Sequence, residues 1–213
     1  MIVIFDLDGT LLNTIDDLAA AANASLAANG FPKRTLAECQ RFVGNGIGKL
    51  LERALPSGEQ TPQNVEKLRP AFLAYYDEHL TDFTRPYAGI KELLKNLTAR
   101  GIKLAVASNK YQRATEKLIT HFFGDTPFVA VLGQRENVPI KPNAHVVREI
   151  LSLSNETRET CLYVGDSQVD MQTAKNAGVR VCAVTWGFRT KEELAVYSPD
   201  FYADTPAEIL RLV

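Results

Sequence analysis

Five short apolar runs recur along the chain: IVIFDLD (2–8), KLAVASN (103–109), FVAVLGQ (128–134), TCLYVGD (160–166) and VRVCAVTW (179–186). The first opens on Ile2-Val3-Ile4-Phe5, unbroken, β-branched and too short for a helix, which predicts a strand buried on both faces. Amphipathic stretches of helical length separate the later runs: IKELLKNLTARG, QRATEKLITHFFG, NAHVVREILSLSN and QVDMQTAKNAG. Strands alternating with helices predict βαβ units, hence an α/β fold with a parallel sheet and helices on both faces. Ligands of such sheets sit beyond the carboxyl ends of the strands. Asp6, Asp8, Ser108, Asn109 and Asp166 all fall there.

Residues 15–85 carry no strand signal and predict an all-helical insert, leaving 1–14 and 86–213 as the α/β core. Thr14, with Asp17 three residues on, is expected to cap a helix that Gly30 stops. Thr35 with Glu38 starts a second helix, GIGKLLERAL forms a third, and Thr61-Pro62 opens a fourth. Pro70 inside that fourth pattern predicts a kink or break. An insert directly after the first strand reads as a cap, with RPYAG (85–89) as the return linker.

A formal net charge of −1 offers no global field for nucleic acid or anionic lipid, so neither is expected as a partner. Asp6 is the first charge and no basic residue precedes it, which argues against a signal peptide. The longest small-apolar run, LAAAANASLAANG, is interrupted by Asn and too short to span a bilayer. Cys39, Cys161 and Cys182 form no CxxC pair and read as reduced core thiols, in keeping with a cytoplasmic setting. His79, His121 and His145 share no metal-ligand spacing and read as surface residues.

Asp6 and Asp8 leave the first strand on the same side, and two like charges at the edge of a core need a cation between them. Four segments bring polar groups to that edge: DLDGT, ASNK (107–110), KPN (141–143) and GDSQVD (165–170). A hard ion such as Mg²⁺ takes oxygen ligands beside a substrate phosphate. Asp6 and Asp166 supply the carboxylates, the backbone carbonyl of Asp8 a further ligand, and Asp170, one helical turn after Asp166, a hold on a metal-bound water. A carboxylate can attack phosphorus to form an aspartyl-phosphate, and Asp6 is the expected nucleophile, with Asp8 as acid and then base. Ser108, the amides near Asn109 and the Lys141 ammonium suit the charge on the phosphoryl oxygens. A DxD, a GDS or a Lys-Pro says little alone, and Lys141-Pro142 by itself reads as a helix lead-in. Their joint order carries the chemistry.

These segments resemble those of the haloacid dehalogenase superfamily, in its phosphatase branch with a helical cap, across essentially the whole chain. DLDGT matches the DxDGT signature, Ser108 the hydroxyl motif, Lys141 the basic motif and GDSQVD the acidic GDxxxD motif. The resemblance implies a Rossmann-like core with an inserted all-α cap, Mg²⁺ dependence, Asp6 as nucleophile and Asp8 as acid/base. Asn13 stands where Asp is frequent, and Ala144 where proline is. Within the superfamily, VGNGIGKLLERAL, SNK and VTWGF resemble segments of phosphoglycolate phosphatases, which implies a small phosphorylated metabolite, 2-phosphoglycolate, as substrate. The GNGIG stretch, with Gly46 and Lys49, is then either a contact to the substrate carboxylate or an interhelix turn. Lys110 is either a substrate contact or a solvated helix-start residue, while Trp186 and Phe188 are read as packing. A monomer or homodimer is expected. A β-phosphoglucomutase-like phosphosugar mutase is the alternative, against which Thr10 leans, followed by a non-catalytic phosphoacceptor module. Dehalogenase chemistry needs no second acid and is disfavoured by Asp8.

Overall fold

The computed structural model describes residues 1–213. In chain order its elements are β1 (Ile2–Phe5), β2 (Leu12–Asn13), α1 (Ile15–Ala28), α2 (Leu36–Phe42), α3 (Gly46–Ala54), α4 (Pro62–His79), β3 (Arg85–Pro86), α5 (Ile90–Ala99) and β4 (Lys103–Tyr111). There follow α6 (Gln112–Phe123), β5 (Phe128–Gln134), α7 (His145–Ser154), β6 (Cys161–Gly165), α8 (Gln168–Ala177), β7 (Arg180–Val184), α9 (Lys191–Ala195), β8 (Phe201–Ala203) and α10 (Pro206–Ile209). They group into two compact units, residues 1–13 with 86–213, and residues 14–85.

The first unit is built on a six-stranded sheet in the order β5-β4-β1-β6-β7-β8, all pairs parallel. The predicted α/β architecture is therefore the observed one. From β1 the chain builds outward through β4 and β5, then returns to β6 on the other flank of β1 and continues to β7 and β8. The order reverses between β1 and β6, and the crevice at such a switch point is where ligands bind. Strand β1 has no exposed residue, as its unbroken apolar sequence requires. The face carrying Ile2, Ile4, Ala105, Cys161 and Tyr163 packs with Val147 and Ile150 of α7 and Met171 and Ala174 of α8. Strand β8 and helices α9 and α10 extend the unit beyond the elements the sequence pattern marks.

The second unit is all-helical. Helix α1 packs on α2 and α4, and α3 on α2 and α4; the Ser25 hydroxyl of α1 donates to the Leu68 carbonyl of α4 at 2.6 Å. Thr35 and Glu38 form the expected capping box, and Thr61 accepts from the Asn64 amide ahead of Pro62. One expectation fails outright and another in part. Thr14 makes no capping bond to α1, because the Asp17 carboxylate faces Phe83 and Thr84 instead. Nor does Pro70 break α4: Pro70 and Glu66, whose carbonyl loses its donor, lie on the exposed face, while Val65, Leu68, Phe72 and Tyr76 continue the buried stripe. No helix of the chain is long and apolar enough to cross a membrane.

All three cysteines are free and buried. Burial pushes the Cys161 and Cys182 thiols up to about 12, so neither offers a reactive thiolate.

Candidate active site

Register alone brings two of the acids together. Phe5 pairs with Val164 of β6 and Val106 of β4, and the Asp6 amide donates to the Val164 carbonyl at 2.9 Å. Asp6 and Asp166 therefore leave neighbouring strands at the switch point, while β4 carries Ser108 two residues past Val106, the partner of Phe5. Ser167 caps α8, so its first turn carries Asp170 back toward the same edge. Carboxylate oxygens of Asp6, Asp166 and Asp170 all lie within 4.8 Å of one another, and all three residues are buried.

One ammonium stands among them. Lys141 Nζ is 2.9 Å from Asp6 Oδ1 and 2.7 Å from Asp170 Oδ1, with 2% of its side chain exposed. Burial alone would push this ammonium down, but Asp170 and then Asp6 hold it well above the usual lysine range. The carboxylates fare differently. Burial, then the charge of Asp170, pushes Asp6 well above the usual carboxylate range, against the pull of Lys141. Burial and Asp170 likewise push Asp166 up to about 7, although the Phe188 amide donates to it at 2.7 Å. One lysine does not neutralise three carboxylates in a desolvated crevice. An all-oxygen donor set with surplus negative charge fits a hard divalent cation.

Glycines let the acids come this close. A Cβ on Gly187 would lie 2.3 Å from Asp166 Cβ and 2.5 Å from the Gly9 carbonyl oxygen. A Cβ on Gly9 would meet the Asp166 carboxylate at 2.3 Å, and its φ of +86° disfavours any L side chain. VTWGF thus has a part in the site: Phe188 holds Asp166 through its main chain, and the Trp186 indole donates to the Thr10 carbonyl at 3.0 Å. Packing was the expectation for both.

Two further sequence expectations change on the same edge. Lys110 is neither solvated nor on a helix: it belongs to β4, only 3% of its side chain is exposed, and its Nζ lies 2.9 Å from Asp8 Oδ1. The Lys110 ammonium is thus a cation beside the Asp8 carboxylate. The Asn109 side chain donates to the Lys141 carbonyl at 3.0 Å and accepts from the Lys141 amide at 2.9 Å. Ser108 is buried, its hydroxyl accepting from the Lys110 amide at 3.2 Å. Lys141-Pro142 is no helix lead-in either, since α7 begins at His145. Asp170 accepts four bonds, from Lys141 and the Tyr163 hydroxyl on Oδ1 and from the Ser167 amide and hydroxyl on Oδ2. These four bonds fix its carboxylate beside Asp6 and Asp166.

Gly46 and Lys49 belong to the helical unit, at the start of α3. Gly46 has a φ of +79°, which the interhelix-turn reading requires, and Lys49 is exposed and pairs with Glu52 at 2.6 Å.

A model of the haloacid dehalogenase-like hydrolase family matches residues 3–184. The chain belongs to the haloacid dehalogenase-like hydrolases. Among its relatives in this family, the phosphoglycolate phosphatase of Cereibacter sphaeroides is 35% identical over 189 residues, covering 88% of this chain and 86% of the relative. The phosphoglycolate phosphatase of Vibrio vulnificus (strain CMCP6) is 34% identical and covers 100% of this chain and 95% of its own length. Among solved structures of these hydrolases, one from Lactobacillus delbrueckii subsp. bulgaricus superposes with a TM-score of 0.94 at 30% identity, over 99% of this chain and 97% of that one.

Proposed function

We propose that the protein is a Mg²⁺-dependent phosphomonoester hydrolase acting on a small organophosphate, 2-phosphoglycolate, through an aspartyl-phosphate on Asp6. The observation that carries this reading is the convergence of Asp6, Asp166 and Lys141 on one buried crevice at the sheet's switch point. The names of the relatives support the substrate.

Asp6 and Asp166, with the Asp8 carbonyl, would hold the cation, which supplies positive charge against the phosphoryl oxygens. Asp6 attacks phosphorus while Asp8 gives its proton to the leaving alkoxide, releasing the alcohol and leaving the phosphoryl group on Asp6. Asp8, now a carboxylate, takes a proton from water as that water attacks phosphorus, and inorganic phosphate departs with Asp6 restored. Lys141 steadies the attacking carboxylate, and Ser108 offers a hydroxyl to the transferring group. Lys110 anchors Asp8. Residues 14–85 serve as a cap that limits substrate size, with Gly46 and Lys49 as its substrate contacts.

Phosphate release from 2-phosphoglycolate and from other small phosphomonoesters, glucose 1-phosphate included, tests this with and without Mg²⁺. Activity is expected to require the ion, to favour 2-phosphoglycolate and to vanish in Asp6→Asn. Turnover without metal, or an active Asp6→Asn protein, overturns the mechanism; isomerised sugar phosphate in place of free phosphate overturns the hydrolase.

A further inference from the structure

We propose that Tyr163, a residue of β6 that contacts no candidate substrate group, is a positioning residue that sets where the Lys141 ammonium points. The inference rests on the role given to Lys141 above and adds to it.

The argument is a count of protons. Lys141 Nζ has four oxygen neighbours: Asp170 Oδ1 at 2.7 Å, Asp6 Oδ1 and the Ala107 carbonyl at 2.9 Å, and Tyr163 Oη at 3.1 Å. An ammonium has three protons to give. Asp170, Asp6 and Ala107 offer acceptors alone, whereas Tyr163 carries a proton of its own. The three N–H bonds therefore go to the first three, and the longest contact is the one left over. Tyr163 spends its proton on Asp170 Oδ1 at 3.1 Å, nearer than the Ala107 carbonyl at 3.4 Å, and turns its lone pairs to the ammonium. Both Tyr163 and Asp170 are fully buried, so no bulk water stands ready to replace this bond.

Asp170 and Asp6 compete for the same ammonium. With the tyrosine proton on Oδ1, Asp170 needs Lys141 less, and the ammonium rests between the two carboxylates. Without that proton, Oδ1 is left with Lys141 as its one donor. The ammonium is then drawn toward α8 and off Asp6, the residue whose attack it supports. Register fixes the tyrosine for this work: Ile4 pairs with Tyr163, so its side chain rises on the same sheet face as Asp6, two residues beyond Ile4.

The test is Tyr163→Phe, which removes one oxygen and keeps the ring. On 2-phosphoglycolate with saturating Mg²⁺, kcat is expected to fall about tenfold with KM within about twofold, since the hydroxyl touches no substrate. A second readout does not depend on turnover. In protein labelled with ¹⁵N-lysine, the buried Lys141 ammonium resonance, assigned by its loss in Lys141→Arg, is expected to shift and exchange faster in Tyr163→Phe. In the unsubstituted protein the Tyr163 hydroxyl proton is expected to show a cross-relaxation peak to that ammonium, a measurement that can be made even if the variant does not fold. An unmoved ammonium resonance, an absent cross-peak or an unchanged kcat overturns the proposal. An unsubstituted protein that hydrolyses no phosphomonoester overturns the functional reading instead and leaves the two resonance measurements to decide this one.

Discussion

Asn109 and Lys141, 32 residues apart, are joined by a two-way bond: the Asn109 amide nitrogen donates to the Lys141 carbonyl, and its oxygen accepts from the Lys141 amide. The side chain mimics one rung of a sheet, and it fixes the main chain from which the Lys141 ammonium extends. Asn109→Ala should therefore lower kcat by about ten- to a hundredfold while leaving KM nearly unchanged, as misplacement of a reacting group does. Asn109→Asp should be as harmful, because its second oxygen would face the Lys141 carbonyl without a proton. Steady-state kinetics decide the matter. A large rise in KM with kcat intact would return Asn109 to the substrate contact its sequence position suggested.

Gly187 is the second test. A methyl there would meet no yielding side-chain end: Asp166 Cβ and the Gly9 carbonyl oxygen both lie within 2.5 Å of where it would sit. Gly187→Ala must push Asp166 or the DLDGT loop aside, and the Phe188 amide bond to Asp166 goes with it. Overpacking of this kind costs about 3 kcal/mol. Urea denaturation should show that loss, and the Mg²⁺ concentration for half-maximal activity should rise. An alanine variant of unchanged stability would mean that the loop yields freely.

How much of this was legible in the sequence follows from which forces act locally. The strand FVAVLGQ matches β5 residue for residue, because an apolar run flanked by turns needs no knowledge of its neighbours. The switch-point location of Asp6 and Asp166 was legible for a related reason: strand ends and crossover handedness are properties of the pattern. Strand β8 was not, since three residues carry no period. Asp17 misleads because its spacing from Thr14 suits a capping box, yet the chain 66 residues later offers its carboxylate better donors. Tyr163 and Phe188 escape sequence reasoning as parts of the site for one reason. Each acts on a charged residue from another segment, and no local pattern marks such a contact.

Glu156 gives a pH-dependent stability. Hydrogen bonds from Lys103 and then Thr160 lower its carboxyl from 4.5 to about 2. A carboxylate depressed by folding stabilises the fold above its unfolded value and ceases to as the pH falls through its folded one. The contribution should thus be complete above about pH 5 and gone near pH 2. The Lys103 ammonium also donates to the Ser154 carbonyl at 2.7 Å, so this pair ties the end of α7 to the start of β4. Glu156→Gln should lower Tm by about 3 °C at pH 7, the shift that about 1 kcal/mol produces in a chain of this size. The gap between the two proteins should close on acidification. A gap that persists at about pH 2.5, near the bottom of that window, would place the effect in packing rather than charge.

Asp17 closes the helical unit. Both of its oxygens accept from the Phe83 amide, at 3.0 and 3.2 Å, and Oδ2 accepts from the Thr84 amide at 2.8 Å and the Thr84 hydroxyl at 2.7 Å. An insert must bring its two ends back side by side, and closing a chain of that length costs entropy whatever lies between. Asp17 stands three residues after the unit begins and Thr84 one before it ends, so these bonds fasten the ends directly. Asp17 and Thr84 are both buried, so Asp17→Ala strands main-chain donors away from water. The loss should be about 3 kcal/mol, on the scale of a broken buried network. Because the sheet unit makes none of these bonds, the damage should be local: trypsin should cut faster at Lys33, Arg34 and Lys67, while sites in residues 86–213 keep their protection. Equal acceleration in both units would show that they unfold as one.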